Sequence, residues 1–454
     1  MKERLKNCSV AVLGLGKSGI SSVKLLKRLG AKVFVSDLEP SKKYLKIIKK
    51  NKFAYECGKH SKKILDCNLI VVSPGIDWNL PLLCEARFHR IPVIGELELG
   101  FRYLHSKTIV AVTGTNGKTT TVSLLGEIFK RSGGKTLVAG NLGFPLTRFV
   151  SNKIPYDIVD LEVSSYQLEG IDQFHPQVSV LLNLTNDHLK RHKTMKNYAK
   201  IKERIFKNQN SKDFTILNWD DTWCRSMAKN STAKIVWFST SKLKSGVWWD
   251  KDLKKIVTKL GTEQYLFSPP PNLYGLHNIE NSCAAIAAAL CVRISKNVIQ
   301  EGLTNFKSVE HRLEFVAKIH GVTYMNDSKA TNVDSTLKAL DSFEAPLWVI
   351  LGGQDKGGSY EPLRSFIQKY SLSKKVKGIA LIGEAAQKIS LTLKGSCEII
   401  HSGTLNKAVL ELSQKAKSGE IVLLSPACAS FDQFKNFEDR GRQFKKFVRK
   451  IDGK

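Results

Sequence analysis

The first hundred residues alternate short apolar runs with longer stretches in which apolar residues recur at helical spacing. The apolar runs are S-V-A-V-L, K-V-F-V-S, L-I-V-V-S and I-P-V-I, which begin at residues 9, 32, 69 and 91. Short buried strands that alternate with amphipathic helices are typical of a parallel sheet with crossover helices. The pattern therefore predicts a first α/β domain over residues 1–104.

The same alternation recurs in a second segment, which begins near Lys107. The strand T-I-V-A-V-T, residues 108–113, precedes a segment with one apolar helical face and a stop signal at Gly133 and Gly134. The apolar positions of that face are Val122, Leu125, Ile128 and Phe129. A strand, a glycine-containing turn and a helix in this order are the context that a phosphate-binding loop requires.

A third segment begins near Val309 and carries the apolar runs G-V-T-Y-M, L-W-V-I-L, I-A-L-I and I-V-L-L. Residues 213–271 are expected to be less regular, and S-P-P-P-N predicts a turn before a helix over residues 280–290. The chain has 454 residues, which at about 150 residues per domain suggests roughly three domains. We predict an α/β protein with three consecutive α/β domains, over residues 1–104, 105–308 and 309–454.

The composition is that of a globular chain with a large excess of positive charge. Lys and Arg outnumber Asp and Glu by 71 to 41, which is a formal net charge of +30. The lysines alternate with apolar residues at helical spacing, as in residues 41–52, and no basic cluster is interleaved with stacking aromatic residues. We therefore expect no nucleic-acid partner, although the positive field would favour an anionic nucleotide substrate.

No segment predicts a membrane span or an export signal. The longest uncharged apolar stretch, residues 283–292, is about half of the ~20 residues that a spanning helix needs. The amino terminus carries basic residues but no apolar region that ends in a cleavage site. The nine cysteines are scattered without a C-x-x-C pair, so we expect reduced thiols, Cys428 among them. We expect a cytoplasmic monomer.

Two glycine-containing loops are candidates for phosphate binding. G-L-G-K-S-G, residues 14–19, follows the first strand, and Asp37 follows the next strand at the spacing of a ribose-binding acid. V-T-G-T-N-G-K-T-T, residues 112–120, resembles a Walker loop, but Val112 stands where that loop requires a glycine. The first loop alone indicates a dinucleotide, and the second indicates a variant phosphate loop with Lys118 as its mobile charge.

Polar residues follow most of the predicted strands. Ligands of open parallel sheets lie beyond the carboxyl ends of the strands, so these residues are candidates for a site. Glu162 ends one strand and could reach a magnesium ion that also binds Thr119. The other strand-end segments are N-D-H (186–188), N-D-S-K-A-T-N (326–332), G-G-Q-D-K-G (352–357) and S-P-A-C-A-S-F-D-Q-F (425–434).

These segments also carry a resemblance that covers nearly the whole chain in order. T-G-T-N-G-K-T-T, G-N-L-G, L-E-V-S-S-Y-Q-L, N-D-H-L, H-N-I-E-N, E-H-R-L-E, N-D-S-K-A-T-N, G-G-Q-D-K-G and S-P-A-C-A-S-F-D-Q-F-K-N-F-E-D-R-G resemble motifs of the Mur ligases of peptidoglycan synthesis. Ligases of this family carry the phosphate loop without the Walker glycine. The resemblance implies a Rossmann-like first domain that binds the uridine nucleotide, a central ATP-binding domain, and a Rossmann-like third domain.

The resemblance implies an ATP-dependent ligase that activates a carboxylate as an acyl phosphate and then forms an amide bond. The N-D-S-K-A-T-N segment and the closing motif point to addition of D-glutamate to UDP-N-acetylmuramoyl-L-alanine. The residues implied for catalysis are Lys118, Glu162, His188 and Lys202. Magnesium, as two ions, is implied at Thr119, Glu162, His188 and Lys202, with Lys202 carbamylated.

The resemblance also implies three sets of binding residues. For ATP they are Gly114, Thr115, Asn116, Gly117, Lys118, Thr119, Thr120, Asn278, Arg312, Asp327 and Lys329. For the UDP substrate they are Ser18, Asp37, Ser73, Asn141 and His188. For D-glutamate they are Thr331, Lys356, Ser430, Phe431 and Phe437.

The sequence departs from the family pattern in two places. Lys190 stands where an acid usually follows D-H-L, and Leu38 and Glu39 occupy the nucleotide-contacting positions after Asp37. The alternatives that stay open are a sister ligase for another amino acid and a folylpolyglutamate synthetase. More remote alternatives are a nicotinamide-dependent oxidoreductase, which leaves Lys118 and Glu162 unused, and a nucleic-acid-binding ATPase.

Overall fold

The computed structural model of the protein describes residues 5–141, 143–150, 155–355, 357–372 and 375–451. Strands and helices alternate along most of this chain. The strands are β1 (Ser9–Leu13), β2 (Lys32–Asp37), β3 (Ala54–Cys57), β4 (Leu69–Val72), β5 (Val93–Gly95), β6 (Ser106–Thr113), β7 (Thr136–Gly140), β8 (Tyr156–Glu162), β9 (Val178–Leu181), β10 (Phe214–Asn218), β11 (Lys234–Ser239), β12 (Gly246–Asp250), β13 (Lys255–Leu260), β14 (Glu263–Phe267), β15 (Glu314–Ile319), β16 (Val322–Asn326), β17 (Leu347–Gly352), β18 (Val376–Ile382), β19 (Glu398–Gly403) and β20 (Ile421–Leu424). The helices are α1 (Lys17–Arg28), α2 (Lys42–Lys50), α3 (Pro81–Phe88), α4 (Glu96–Tyr103), α5 (Lys118–Arg131), α6 (Ser165–Glu169), α7 (Leu189–His192), α8 (Met195–Glu203), α9 (Thr222–Met227), α10 (Leu276–Cys291), α11 (Lys296–Asn305), α12 (Val333–Asp341), α13 (Glu361–Lys369), α14 (Ala386–Leu393), α15 (Leu405–Lys415) and α16 (Phe437–Ile451).

Within the described residues the strands form three successive sheets. The first has the order β3-β2-β1-β4-β5, the second β14-β13-β12-β11-β10-β9-β6-β8-β7, and the third β15-β16-β20-β17-β18-β19. Neighbouring strands are parallel except β12–β13, β13–β14 and β15–β16. The predicted α/β class is confirmed, and the three successive sheets are mostly parallel.

The chain divides into two compact units. The first unit comprises Met1–Pro269 and Glu280–Thr304, and the second comprises Pro270–Ile279 and Asn305–Lys454. The first unit therefore contains the first two sheets, and the second unit contains the third. The domain boundaries after residues 104 and 308 stay predictions. Among the described residues, no helix has the length and apolar character needed to cross a membrane.

The apolar pattern of the sequence corresponds to buried positions in the strands and helices. The central strand residues Val12, Ala111 and Ile350 are fully buried. The predicted helix after the phosphate loop is α5, and all four residues of its predicted apolar face are buried. It ends at Arg131, shortly before Gly133 adopts a left-handed conformation. Each core thus lies where a sheet packs against its flanking helices.

Residues 213–271 are more regular than the sequence pattern predicted. They contain strands β10 to β14, which extend the second sheet to its edge. The antiparallel strands β13 and β14 carry exposed polar side chains such as Lys259 and Glu263, so they lack the continuous apolar run of a strand buried on both faces. The predicted turn and helix that follow are confirmed, because no strand or helix covers residues 268–275 and α10 begins at Leu276.

Helix α4 joins the first sheet to the second through two buried glutamates. Glu98 accepts hydrogen bonds from the backbone N–H groups of residues 172–174 at 2.8–3.0 Å and from the Arg102 guanidinium at 2.8 Å. Glu96 accepts bonds from the N–H and the hydroxyl of Thr147 at 2.8 and 2.7 Å. Burial raises the pKa of Glu96. The donors to Glu98 saturate its carboxylate, whereas Glu96 Oε2 has no hydrogen-bond partner among the described residues. The two carboxylates fix the loops that supply their donors.

A close approach of two backbones sits beside this helix. The Gly95 N–H donates to the Gly170 carbonyl at 2.7 Å. A Cβ atom on Gly170 would lie 2.7 Å from the Cα of Gly95, which is closer than real Cβ contacts. The pair therefore requires glycine, and it brings β5 against the end of α6.

Asp160 is a second kind of buried carboxyl group. It lies in the middle of β8, is fully buried, and neither of its oxygen atoms has a hydrogen-bond partner among the described residues. Burial raises the pKa of Asp160, and the neighbouring Glu162 raises it further. An unsatisfied buried polar group destabilises a fold, so Asp160 should lower the free energy of unfolding.

We expect Asp160→Val to increase the free energy of unfolding by about 1–3 kcal/mol, since it removes an unpaired polar group and keeps a similar volume in a strand. The measurement is the thermal midpoint, which should rise by several degrees.

Glu98→Gln provides the matched comparison, because Glu98 is equally buried but accepts several hydrogen bonds. That substitution should lower the midpoint. A fall of the midpoint in both variants would show that Asp160 has a stabilising partner.

Candidate active site

The phosphate loop, residues 114–117, connects β6 directly to α5. Gly117 has φ 86°, and a Cβ there would lie 2.1 Å from the Asn281 side chain. Asn183 braces the other side, since its carbonyl accepts from the Thr115 N–H and its side chain from the Asn116 N–H, both at 2.9 Å. The N-terminal end of α5 is thereby held at the end of β6, where backbone N–H groups and the helix dipole favour a phosphate.

Two lysines share one carbonyl oxygen at this loop. The Lys118 Nζ donates to the carbonyl oxygens of Gly114 and Thr115 at 2.8 Å. The Lys202 Nζ donates to the same Gly114 oxygen at 2.8 Å and to the Thr113 hydroxyl at 2.9 Å. Burial lowers the pKa of Lys202 well below its ordinary value, and the charge of Lys118 lowers it further. Lys202 therefore loses its proton more readily than an exposed lysine does.

Glu162 ends β8 beside this loop and is 3% exposed. Its Oε1 accepts a hydrogen bond from the Asn141 side chain at 2.6 Å, whereas its Oε2 is buried with no hydrogen-bond partner among the described residues. An oriented carboxylate with one unpaired buried oxygen suits a magnesium ion. The donor set therefore fits the predicted cation.

His188 begins helix α7 in a left-handed conformation with φ 54°. Its Nδ1 lies 3.1 Å from the Tyr166 hydroxyl, and its Nε2 lies 3.3 Å from Asp187. Burial lowers the pKa of His188 below its ordinary value, although Asp187 opposes this. The Tyr166 ring stacks on His192, which stacks on Tyr198. These packed rings thus orient the imidazole of His188.

A cavity of about 430 Å³ lies between the first and second sheets of the first unit. Its wall includes Ser18, Asp37, Ser73 and Asn141, the four residues other than His188 that were predicted for the UDP substrate. Asp37 accepts hydrogen bonds from the backbone N–H groups of Leu15 and Glu39. Ser73 donates to the Gly14 carbonyl at 2.9 Å. The glycine loop is therefore part of the cavity wall, and His188 is not among its lining residues.

The second unit contains its own cluster of polar loops after β16 and β20. Asp327 is 5% exposed and accepts hydrogen bonds from the Ser425 hydroxyl at 2.9 Å and the Leu313 N–H at 3.3 Å. Burial raises the pKa of Asp327 to about 7, although Arg312 and Arg440 oppose this. A buried aspartate here can therefore exchange a proton near neutral pH.

Arg440 connects these loops from helix α16. It is fully buried and donates to the Ser328 hydroxyl and carbonyl at 3.0 and 2.9 Å and to the carbonyls of Cys428 and Ala429 at 3.2 Å. Burial lowers the pKa of Arg440 to about 10. The guanidinium fork thereby fixes two loops that the sequence separates by about a hundred residues.

The other predicted residues of the second unit have varied surroundings. Lys329 lies over the Phe437 ring at 5.9 Å, and the Asn278 side chain donates to the Tyr274 carbonyl at 2.7 Å. Ser430 is buried, but the adjacent Phe431 is 68% exposed. Arg312 and Thr331 are half-buried, and Lys356 lies outside the described residues. The phosphate loop belongs to the first unit and these residues belong to the second.

Sequence reasoning missed several residues that hold the candidate active site. Asn183 lies two residues after the end of β9, so the rule that polar residues near strand ends line the site could have identified it. Asn281, Tyr166 and Arg440 lie inside recognised motifs, but only the fold shows which backbone atoms they contact.

Matches to known domain families cover most of the chain. Residues 8–95 match the Mur ligase MurD-like N-terminal domain, residues 112–289 the Mur ligase middle domain, and residues 311–428 the Mur ligase glutamate ligase domain. The predicted resemblance is therefore confirmed.

Similar proteins extend over the full chain. The UDP-N-acetylmuramoylalanine–D-glutamate ligase of Koribacter versatilis is 43% identical over 449 residues, which cover 97% of each chain. The ligase of the same name from Clostridioides difficile is 40% identical and covers 98% of this chain and 99% of its own.

Two solved structures show the same fold. The MurF ligase of Thermotoga maritima, solved in complex with ADP, has a TM-score of 0.62 at 17% identity and covers 99% of this chain and 97% of its own. The pseudomurein peptide ligase type C of Methanothermus fervidus has a TM-score of 0.60 at 21% identity and covers 98% and 100%. With three matching domains and full-length relatives above 40% identity, the chain belongs to the Mur ligase family.

Proposed function

We propose that this protein is an ATP-dependent ligase that joins D-glutamate to the alanine carboxylate of UDP-N-acetylmuramoyl-L-alanine, in cytoplasmic synthesis of peptidoglycan precursors. The observation that carries the proposal is the 43% identity, over 97% of both chains, to a ligase named for this reaction. The charge arrangement around the phosphate loop supports it. We expect the protein to act as a monomer.

A carboxylate is a poor electrophile, so the reaction needs an activated intermediate. The alanine carboxylate attacks the γ-phosphorus of ATP, which gives an acyl phosphate and releases ADP. The amine of D-glutamate then attacks the acyl carbon, the amide forms, and inorganic phosphate leaves. Positioning and charge neutralisation dominate such transfers. Lys118 and the backbone N–H groups of residues 114–117 are suited to hold the phosphates.

Magnesium would be held by Glu162 and Thr119, and its charge would neutralise that of the phosphates. His188 and Lys202 form the second proposed pair of metal ligands. Lys202 can serve only if carbon dioxide adds to its neutral amine, which forms a carbamate and releases one proton. Burial favours the neutral amine that reacts with carbon dioxide, and the nearby charge of Lys118 favours the anion that forms.

The cavity beside the glycine loop is the proposed site of the UDP moiety. Ser18, Asp37, Ser73 and Asn141 line it, and Asn141 also bonds to Glu162. This bond connects the substrate cavity to the proposed phosphoryl-transfer centre. Asn278, Arg312, Asp327 and Lys329 of the second unit are proposed to contact ATP. The residues proposed for D-glutamate are Thr331, Lys356, Ser430, Phe431 and Phe437.

We expect phosphate release from ATP to require both UDP-N-acetylmuramoyl-L-alanine and D-glutamate. The measurement compares D-glutamate, L-glutamate, L-lysine, meso-diaminopimelate and no amino acid, with mass spectrometry of the product. Release with a different amino acid would assign a sister ligase activity. If no amino acid of this panel supports phosphate release, the proposed reaction is refuted.

We expect Lys202→Ala to reduce ligation by about 100-fold or more, because the proposed carbamate, a ligand of the metal ion at the transferring phosphate, is lost. A carbamate carbon signal should appear in the NMR spectrum of the wild-type protein with ¹³C-bicarbonate and should be absent in this variant.

Lys200→Ala is the matched control, since Lys200 is exposed on the same helix. Its activity should stay within about two-fold of wild type. A wild-type protein without a carbamate signal would exclude the modified lysine.

We expect the stability of the protein to depend on Asp327 between about pH 4 and pH 7. The pKa of this carboxyl is raised from 3.8 to about 7 in the folded protein. Its protonation therefore contributes its full stabilisation below pH 4, and this contribution is lost as the pH rises to 7. Relative to Asp327→Asn, the wild type should lose at most about 1.4 kcal/mol per pH unit over this range and nothing further above it. The measurement is the difference in thermal midpoint from pH 5 to pH 8. A constant difference would contradict the raised pKa.

A further inference from the structure

Two loops of the second unit lie side by side because their strands are neighbours. Strand β17 pairs in parallel with β20, and residues 353–355 and 425–432 follow these strands. Backbone hydrogen bonds of 2.9 Å run from Gly352 N–H to the Pro426 carbonyl and from Gln354 N–H to the Ala429 carbonyl. The two loops are therefore joined along one side by the main chain.

A row of hydrogen-bonded side chains also joins the two loops. The Lys388 Nζ donates to Asp355 Oδ2 at 2.8 Å, and the Tyr360 hydroxyl lies 3.1 Å from Asp355 Oδ1. The same hydroxyl lies 3.1 Å from the sulfur of Cys428. Tyr360 is 4% exposed and Cys428 is 1% exposed. The row thus crosses from an exposed lysine to a buried thiol.

The chemistry of these groups fixes the direction of the hydrogen bonds. Asp355 is an acceptor only, and a charged acceptor attracts the single proton of the Tyr360 hydroxyl. The Cys428 thiol then donates to the tyrosine oxygen. Burial raises the pKa of Cys428, which keeps it in the thiol form that this arrangement needs. The Lys388 ammonium lowers the pKa of Asp355, so Asp355 stays ionised.

The second loop contains one residue in a strained backbone conformation, Ala427, which has φ of 60°. Gly352 and Gly353 also have positive φ, 115° and 132°, which glycine adopts without strain. A non-glycine residue in the left-handed region is about 1–2 kcal/mol less stable than in the right-handed region. The N–H of Ala427 donates to the Ala330 carbonyl at 3.0 Å, and the next residue is Cys428.

We propose that Tyr360 is a positioning residue that, through Asp355 and Cys428, holds these two loops in the arrangement that binds the incoming amino acid. The inference rests on the proposed function, in which Ser430 and Phe431, two and three residues after Cys428, contact D-glutamate. The tyrosine ring itself packs in the core and does not need its hydroxyl for that. The hydroxyl therefore serves the loops.

The test is Tyr360→Phe, which removes the hydroxyl and keeps the ring. The KM for D-glutamate should rise about five-fold, the size of effect expected from one hydrogen bond. The kcat and the KM for ATP should stay close to those of the wild type, whereas the thermal midpoint should fall by a few degrees, because two hydrogen bonds are lost. A merely structural role would instead change both KM values together.

Two further variants sharpen the result. Tyr370→Phe is the control, since it removes a hydroxyl near Asp341 in the same unit and should leave the KM for D-glutamate unchanged. Lys388→Met removes the exposed end of the row and should raise the same KM. The double variant Tyr360→Phe with Lys388→Met should raise it by less than the product of the two single effects, because both act through Asp355.

The outcomes separate the inference from the proposed function. A wild-type protein that releases no phosphate with D-glutamate would refute the proposed function. An active wild type whose Tyr360→Phe variant keeps its KM for D-glutamate, or raises it in parallel with that for ATP, would overturn the inference alone.

Discussion

The candidate active site depends on two lysines that donate to one backbone carbonyl, that of Gly114. Two ammonium groups this close together repel each other, and the buried member, Lys202, relieves the repulsion by losing its proton readily. The two lysines also give the phosphate loop a positive potential that favours negatively charged groups. Phosphate groups can supply this negative charge, and Glu162 beside the loop keeps one carboxylate oxygen without a hydrogen-bond partner among the described residues. The fold thus creates a local excess of positive charge that anionic groups can balance.

Buried charged groups elsewhere perform a different task, because their hydrogen bonds are satisfied. Glu98 collects three successive N–H groups, and Arg440 collects carbonyls from two loops. Each fixes the position of a loop that is distant from it in sequence. Asp160 lacks such partners although it is equally buried. The contrast indicates that saturation with donors or acceptors, rather than burial itself, decides whether a buried charge stabilises this fold.

Much of the fold was predictable because parallel strands are marked by continuous apolar runs. Strands β1, β6 and β17 have this form, and the glycine-containing loops directly after them mark the edge where a site can form. Strands β13 and β14 escaped prediction because an antiparallel edge exposes polar side chains. Asn183 was missed although it lies just beyond a strand end, because the sequence does not show that its side chain and its carbonyl brace the phosphate loop.

The sequence by itself determined the α/β class, the three successive sheets and the family to which the chain belongs, because local periodicity and ordered motifs carry that information. Only the tertiary structure decided which donors meet which acceptors. It brought Lys202 to the carbonyl of Gly114, placed Asn141 against Glu162, and set Tyr360 between Asp355 and Cys428. Most of these contacts join residues far apart in sequence, and their distances and burial follow from packing, which residue identity alone does not specify.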